Sequence, residues 1–347
     1  MLTFSYIKHS LRFAFPARTS RGSIETHEAF YIKVCNGTQT GWGEASPLRG
    51  LSIDGGDDFE KNLTQILALL NQGANFEELD FNKLPAICFG IETALLDLKN
   101  GGKMSLFNSA FLNGEPIPIN GLIWMADIPQ MLADADKKVE AGFSCIKFKV
   151  GAQDFDEECR MLERVRKKFP ARKIEIRLDA NGAFHADEGL LKLKELYKYE
   201  IHSIEQPIAP GQVERMQEIC AKSKIKIALD EELIGADPEF AGETLLSQIQ
   251  PTYIILKPTL LGGFGKSDRW IECARKLNIS WWATSALESN IGLNAIAQWC
   301  SSKNNALPQG LGTGSLYSNN ITSPLTVKHG KLFFDKNKAW DFPSINF

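Results

Sequence analysis

The stretch CIKFKVG, residues 145–151, sets two lysines two positions apart in an apolar run and ends on glycine. As a β-strand it points Lys147 and Lys149 to one face and Ile146, Phe148 and Val150 to the other. Two like charges side by side destabilise an ordinary strand, so this one predicts an interior that holds anions. The same form recurs downstream: IEIRLDANG at 174–182, SIEQP at 203–207, IALDEE at 227–232 and YIILKP at 253–258 are short apolar runs that end on a charged residue. With Ser285 included, their polar ends fall at 149, 179, 205, 230, 257 and 285, a repeat of 25 to 30 residues.

Between these runs lie charged segments of helical period such as DEECRMLERVRKKF and ADEGLLKLKELYKY, so the repeat reads as βα units and a parallel sheet. Eight strands are expected, near 117–123, 144–150, 174–179, 201–205, 225–230, 252–257, 279–285 and 306–312. A closed α/β barrel is the simplest architecture, with a doubly wound open sheet as the alternative. The first hundred residues differ in texture. FSYIKHSLRF and EAFYIKVCNG alternate as hairpin strands, and FEKNLTQILALL has helical spacing, an α+β pattern. The expected organisation is an α+β capping domain over 1–115, a catalytic barrel over 116–320, and a strand-like segment over 321–347 that returns to the capping domain.

The chain of 347 residues carries 39 basic and 42 acidic side chains, a net charge of −3, which gives no broad footprint for nucleic acid or an anionic membrane. Its seven cysteines are odd in number and never spaced C-x-x-C, which argues against a disulfide framework or a zinc site and for a reducing cytoplasm. Lys8, His9 and Arg12 interrupt the N-terminal apolar residues, so neither a signal peptide nor a membrane span is expected.

Three consecutive strands deliver Asp179, Glu205 and Asp230 to the C-terminal rim, where barrel enzymes assemble their sites. A single acid there could cap the following helix. Three neighbouring carboxylates call either for a cation or for protonation of some of them, and as cation ligands these oxygen-only donors suit Mg²⁺, with Mn²⁺ possible. Lys257 ends strand six, which lies opposite strand two and its lysine pair. Lysine beside a divalent ion suits removal of a proton from carbon next to a carboxylate, with the ion stabilising the enediolate. The base must first be neutral. A second ammonium about 7 Å along the strand repels by about 2 kcal/mol at an effective dielectric of ~20, so the doublet favours one charged and one neutral lysine.

The K-x-K strand, the Asp179, Glu205 and Asp230 series and Lys257 together resemble the enolase superfamily, in its lysine-pair, muconate-lactonizing-enzyme-like branch. The resemblance covers nearly the whole chain and implies a (β/α)7β barrel under an N-terminal cap. More narrowly, RLDANGAF, EQPI, LKPTLLGGF, TSALESNIGLNAIAQ and GLGTGSLY are similar to the o-succinylbenzoate synthase family, the dehydratases of menaquinone biosynthesis. That family's lyase activity is syn-dehydration of 2-succinyl-6-hydroxy-2,4-cyclohexadiene-1-carboxylate, so the implied partner is a small dicarboxylate.

The resemblance implies that Asp179, Glu205 and Asp230 bind Mg²⁺, that Lys149 takes the proton and returns it to the departing hydroxyl, that Lys257 stabilises the enediolate, and that Lys147 orients the carboxylate. It places Asn181 and Glu231 near the metal, and Ser285, Ser289, Gly312 and Thr313 toward the succinyl tail. Arg177 shares strand parity with Asp179 and is a candidate interior partner of the acids. Arg18, Arg21 and Arg49 lie in capping loops that could meet a carboxylate. The rival within the fold is an N-succinylamino acid racemase or dipeptide epimerase, which would use Lys149 and Lys257 as two bases. Dipeptide epimerases tend to carry Asp-x-Asp at the strand-eight rim, where this chain reads GLGTGSLY. A Schiff-base aldolase would use a strand-six lysine but leave the three acids unexplained, and an inactive binding barrel would have lost some of these residues.

Overall fold

The computed structural model describes residues 1–19 and 22–342, without the side chains of 16–23. The chain opens with an antiparallel sheet of β1 (Thr3–Thr19), β2 (Gly22–Cys35) and β3 (Thr40–Ala45), paired in that order. Two helices cover one face. On α1 (Phe59–Asn71) the buried Phe59, Leu63, Ile66, Leu67 and Leu70 follow the helical period and form one stripe. The second, α2 (Pro85–Lys99), starts on a proline, whose missing N–H costs nothing at that position. It lies almost in contact with β3: a Cβ on Gly43 would sit 2.0 Å from the Gly90 carbonyl oxygen, so that strand needs glycine.

The parallel sheet follows. Its strands are β5 (Gly121–Ile123), preceded by β4 (Ile117–Pro118), then β6 (Cys145–Lys149), β7 (Glu175–Asp179), β8 (Ser203–Glu205), β9 (Lys226–Leu229), β10 (Tyr253–Leu256) and β11 (Ser280–Ala283). They pair in chain order from β5 to β11. Between them run α3 (Ile128–Glu140), α4 (Phe155–Lys168), α5 (Ala186–Leu196), α6 (Val213–Lys222), α7 (Glu243–Ile249), α8 (Pro258–Leu261) and α9 (Gly263–Lys276). After β11 comes α10 (Asn290–Ser302). Caps match the sequence: the Asp127 carboxylate accepts from the Gln130 N–H and Asp154 from the N–H groups of Asp156 and Glu157.

The eighth strand, expected over 306–312, shrinks to two parallel bridges, Ile119 with Gln309 and Thr284 with Gly310. These are enough to close the barrel, because Gln309 and Gly310 bond back to both neighbours through Pro118, Asn120, Ala283 and Ser285. A final hairpin, β12 (Leu325–Lys328) and β13 (Lys331–Phe334), pairs with β4. Beyond it, Phe342 stacks on Trp42 of β3 with ring centroids 4.7 Å apart. No helix is long and apolar enough to cross a membrane among the described residues.

Below the rim the barrel interior is filled by Ala228, Tyr253, Ile255 and Trp282, joined by Leu307. Arg177 belongs to this plug. Its guanidinium lies 4.1 Å over the Trp282 ring, bonds Glu175 through Nε at 2.7 Å and donates to the Pro308 carbonyl at 2.8 Å. It is therefore not the partner of the rim acids that strand parity suggested: the long side chain reaches along the barrel to a nearer carboxylate, an aromatic face and a free carbonyl.

Two carboxylates of the N-terminal unit clasp barrel helices at their N-termini, where free N–H groups and the helix dipole favour an anion. Glu92 of α2 accepts from Phe264 N–H at 2.6 Å and Gly265 N–H at 3.2 Å at the head of α9. Glu44 of β3 accepts from Ser289 N–H at 2.7 Å, Ser289 Oγ at 2.5 Å and Gly292 N–H at 2.8 Å at the head of α10. Burial nevertheless pushes the Glu44 carboxyl up to about 7, against those hydrogen bonds. The native state therefore holds a proton there that the unfolded chain releases near 4.5. The resulting stability is fully present below the unfolded value and is lost as pH rises through about 7. The stability of the wild type relative to Glu44→Gln is expected to fall between pH 5 and pH 8 by up to about 3 kcal/mol, read from denaturation curves at the two pH values. A pH-independent difference would exclude Glu44 as the titrating group.

Candidate active site

Register places the rim residues side by side. Lys149 pairs with Asp179 and Asp179 with Glu205, while Asp230 follows β9 directly. The side chains of Asp179, Glu205, Asp230 and Glu231 are buried, as are Lys147 and Lys257. Lys149 is the more open lysine of the pair, its side chain 14% exposed against 6% for Lys147.

The lysine pair divides its contacts unequally. Lys147 Nζ lies between two carboxylates, 2.9 Å from Asp179 Oδ2 and 3.1 Å from Glu205 Oε2. Lys149 Nζ sits one layer higher, 2.6 Å from Asp179 Oδ2 and 2.7 Å from Asn181 Oδ1. From the opposite wall, Lys257 donates to Asp230. Asn181 also donates to Glu231 Oε1 at 2.8 Å, so its amide links the strand-three and strand-five rims.

Burial opposes the charge on Lys147, but Asp179 and Glu205 outweigh it and hold the ammonium above the ordinary lysine range. The same balance, with Asp230 as the main anion, raises Lys257. Asp179 is driven the other way: burial favours its neutral form, and Lys147, Lys149 and Lys257 together overcome it. Glu205 is left high, because burial and the charges of Asp179 and Asp230 outweigh Lys147 and Lys257. Burial and Asp230 raise Glu231 as well. The cluster therefore has more buried carboxylate than its lysines can neutralise.

The donors are hard oxygens on adjacent rims, without His or Cys, and the raised Glu205 marks an unmet demand for positive charge. They suit Mg²⁺. As they stand, no three His, Cys, Asp or Glu side chains among the described residues are gathered closely enough to enclose an ion. Lys147 and Lys257 pair with all three of these carboxylates, Asp179, Glu205 and Asp230.

Above the cluster opens a cavity of about 1070 Å³ lined by Lys147, Lys149, Asn181 and Lys257, with Trp124, Leu48 and Leu51 on its apolar wall. Ser285, Gly312 and Thr313 also line it, whereas Ser289 is turned away and spent on Glu44. Arg49 pairs with Asp57 at the surface, 2.9 Å away, and the side chains of Arg18 and Arg21 lie outside the described residues.

A family model for the enolase C-terminal domain matches residues 130–337, and one for the MenC N-terminal domain matches 17–98. The o-succinylbenzoate synthase of Desulfotalea psychrophila is 41% identical over 95% of this chain and 98% of that protein. The chain belongs to the enolase superfamily, in its o-succinylbenzoate synthase family. The crystal structure of MenC from the same organism superposes with a TM-score of 0.86 at 38% identity, covering 96% of this chain and 99% of that one. A dipeptide epimerase from Cytophaga hutchinsonii, solved with Mg and a dipeptide, shares the superfamily fold at a TM-score of 0.82 and 20% identity, over 95% and 92% of the two chains.

Around this superfamily site the structure adds residues that sequence reasoning passed over. Gln206 is buried with φ +37°, a conformation unusual for any residue but glycine. All its amide valences are used: Oε1 accepts from the N–H groups of Asp230 and Glu232, and Nε2 donates to Ile208 O and Glu232 Oε2. It fixes the turn that carries Asp230 and Glu231. The available signal was an amide directly after a strand-end acid in EQP. Gly151, which ends the opening stretch, has φ +90°, and a Cβ there would meet Ala183 at 2.6 Å. Its N–H is held by Glu158 at 2.7 Å, which ties the loop after the lysine strand to α4.

Proposed function

We propose that this protein catalyses the Mg²⁺-dependent syn-dehydration of 2-succinyl-6-hydroxy-2,4-cyclohexadiene-1-carboxylate to 2-succinylbenzoate, the o-succinylbenzoate synthase reaction of menaquinone biosynthesis. The observation that carries it is one cavity with Lys149 and Lys257 on opposite walls above four buried carboxylates. Asp179, Glu205 and Asp230 hold the ion, with Asn181 and Glu231 beside it. When bound, the ion supplies Lewis-acid attraction for the substrate carboxylate and for the charge that builds on it.

The chain's own residues do the rest. Lys147, held charged, orients the carboxylate. Lys149, the more open member of the pair, takes the proton from the carbon next to it. The C–H electrons move toward the carboxylate, and Lys257 opposes that charge from the far wall. The C–O bond then breaks, and the hydroxyl leaves as water with the proton Lys149 returns, so that the ring becomes aromatic. A single base on one face suffices, which is why elimination is syn. The organisation proposed with it is a cap over 1–115, a catalytic barrel over 116–320 and a returning segment over 321–347. A reducing cytoplasm accords with seven free cysteines.

The opposed lysines also favour one rival, racemisation of N-succinyl amino acids. The test is a side-by-side assay with Mg²⁺: dehydration of the cyclohexadiene, and α-proton exchange of N-succinyl amino acids in D₂O. Fast dehydration with negligible exchange is expected. Lys257→Arg, which keeps the charge, is expected to retain more dehydratase activity than Lys257→Ala. Rapid exchange from both enantiomers, lost for one with Lys149→Ala and for the other with Lys257→Ala, with negligible dehydration, would replace this reading by isomerisation.

A further inference from the structure

Between the eighth strand and β12 the chain makes no helix among the described residues, so the outer wall of the barrel beside α3 lacks the cover that an eighth helix gives a complete barrel. The hairpin β12–β13 covers that wall in part and leaves a groove. One side of the groove is α3, where Gln130, Asp134 and Lys138 recur every fourth residue on one face. The other side is apolar, with Leu325, Leu332 and the exposed Val327.

Groove and catalytic end belong to one cavity. The Asn120 N–H bonds to the Gln309 carbonyl, but past it no backbone hydrogen bond joins 121–126 to 311–316 among the described residues, so the wall is unsealed there. The charged residues that line the cavity are nearly all of one sign. Lys147, Lys149 and Lys257 stand at the catalytic end and Lys137, Lys138 and Lys338 in the groove, against a single carboxylate, Asp134.

That carboxylate is already engaged. Asp134 Oδ1 accepts from Gln130 Nε2 at 2.9 Å and from Lys137 Nζ at 3.2 Å. Lys338 donates to the Thr326 hydroxyl at 3.1 Å and has no carboxylate partner among the described residues. Lys138 has neither a hydrogen bond nor an ion pair among them. Its stem lies along strand one, where a Cβ on Gly121 would come 3.1 Å from Lys138 Cδ, and its ammonium stands 5.1 Å from the centre of the Phe143 ring. Burial lowers its pKa from the ordinary lysine value, and Asp134 opposes this without cancelling it. A half-buried ammonium over an aromatic face, without an acceptor, lacks an anion.

We infer that the groove is a second, metal-independent site for an aromatic carboxylate, with Lys138 as its cation, and that 2-succinylbenzoate occupies it outside the barrel wall. The choice of ligand rests on the dehydratase reading. Lys138 and Lys338, without carboxylate partners, match the two carboxylates of that product in charge, and the apolar face of the hairpin matches its ring.

Metal separates the two ends of the cavity. Without the ion the catalytic end holds more carboxylate than its lysines neutralise and repels a dianion, whereas the groove needs no metal. Calorimetric titration of the full chain with 2-succinylbenzoate is expected to give one equivalent after exhaustive chelation and two with Mg²⁺. Lys138→Gln is expected to weaken the metal-independent equivalent at least tenfold and to leave the Mg²⁺-dependent one unchanged, while Lys138→Arg, which keeps the charge, retains both. No metal-independent equivalent in the wild type, or one that Lys138→Gln leaves unchanged, would overturn the groove site and leave the dehydratase reading in place. A metal-independent equivalent lost in Lys138→Gln, in a protein that does not dehydrate the cyclohexadiene, would support the groove site and overturn the dehydratase reading.

Discussion

Lys149→Ala is expected to lower dehydration by at least about 10²- to 10⁴-fold, the range that follows removal of a positioned general base. The geometry singles out this lysine among three. Lys147 is buried between Asp179 and Glu205, both of which favour its charged form, and Lys257 is tied to Asp230 across the cavity. Lys149 is the most open of the three, its side chain 14% exposed, and its ammonium donates to the Asp179 oxygen that Lys147 also uses and to the Asn181 amide oxygen. Lys149→Arg is the stricter variant. Guanidinium preserves the charge and the contact with Asp179 but stays protonated at any working pH, so it cannot accept the proton. Its rate is therefore expected to match that of the alanine variant. Single-turnover measurement with substrate deuterated at the reacting carbon separates the step: both variants should fail before the isotope is lost. An arginine variant at wild-type rate would place the base elsewhere.

The part of this site that could be read from sequence is the part carried by strand ends. Asp179, Glu205, Asp230 and Lys257 each follow an apolar run that fixes parity, and parity fixes which side of the barrel wall a residue faces. Length and competing partners decide the rest. Arg177 has the parity of Asp179, yet its longer side chain finds Glu175 and Trp282 below the rim. Ser289 was expected toward the ligand, but it is the N-cap of α10, accepting from Ile291 N–H while its hydroxyl serves Glu44. That capping role was written in the sequence as a serine just before an apolar helical run. Its partner was not, because Glu44 lies 245 residues away.

The eighth strand shows the opposite limit. The spacing of the βα repeat predicts a strand over 306–312, and two bridges are all that form, since Gly310 and Gly312 give it little side-chain packing while the loop after it turns back to bond the N-terminal sheet, Ala14 N–H to the Leu316 carbonyl. What no periodicity could report is why the strand must be thin there: a Cβ on Gly310 would lie 2.5 Å from Thr284 Oγ1.

Chelation is expected to abolish turnover, and Mg²⁺ to restore it. The argument is electrostatic. Four buried carboxylates face three lysines, and Glu205 stays above its ordinary range because the lysines do not neutralise the cluster. A divalent ion held by Asp179, Glu205 and Asp230 would supply the missing charge. Binding should therefore stabilise the fold: at an ion concentration of 100 times Kd the gain is about 2.7 kcal/mol, visible as a rise in the thermal midpoint. Asp230→Asn separates the two roles of that residue. It removes one of the proposed ligands, so Mg²⁺ affinity and turnover should fall by more than about 100-fold. It also takes the counter-ion from buried Lys257, and loss of one member of a buried pair costs about 3–5 kcal/mol, so the metal-free variant should melt below the metal-free wild type. Calorimetry for the ion, the melting curve and the dehydration assay on the same preparation read all three. Wild-type turnover after exhaustive chelation, or in Asp230→Asn, would remove the metal from this site and leave the lysines to explain the chemistry alone.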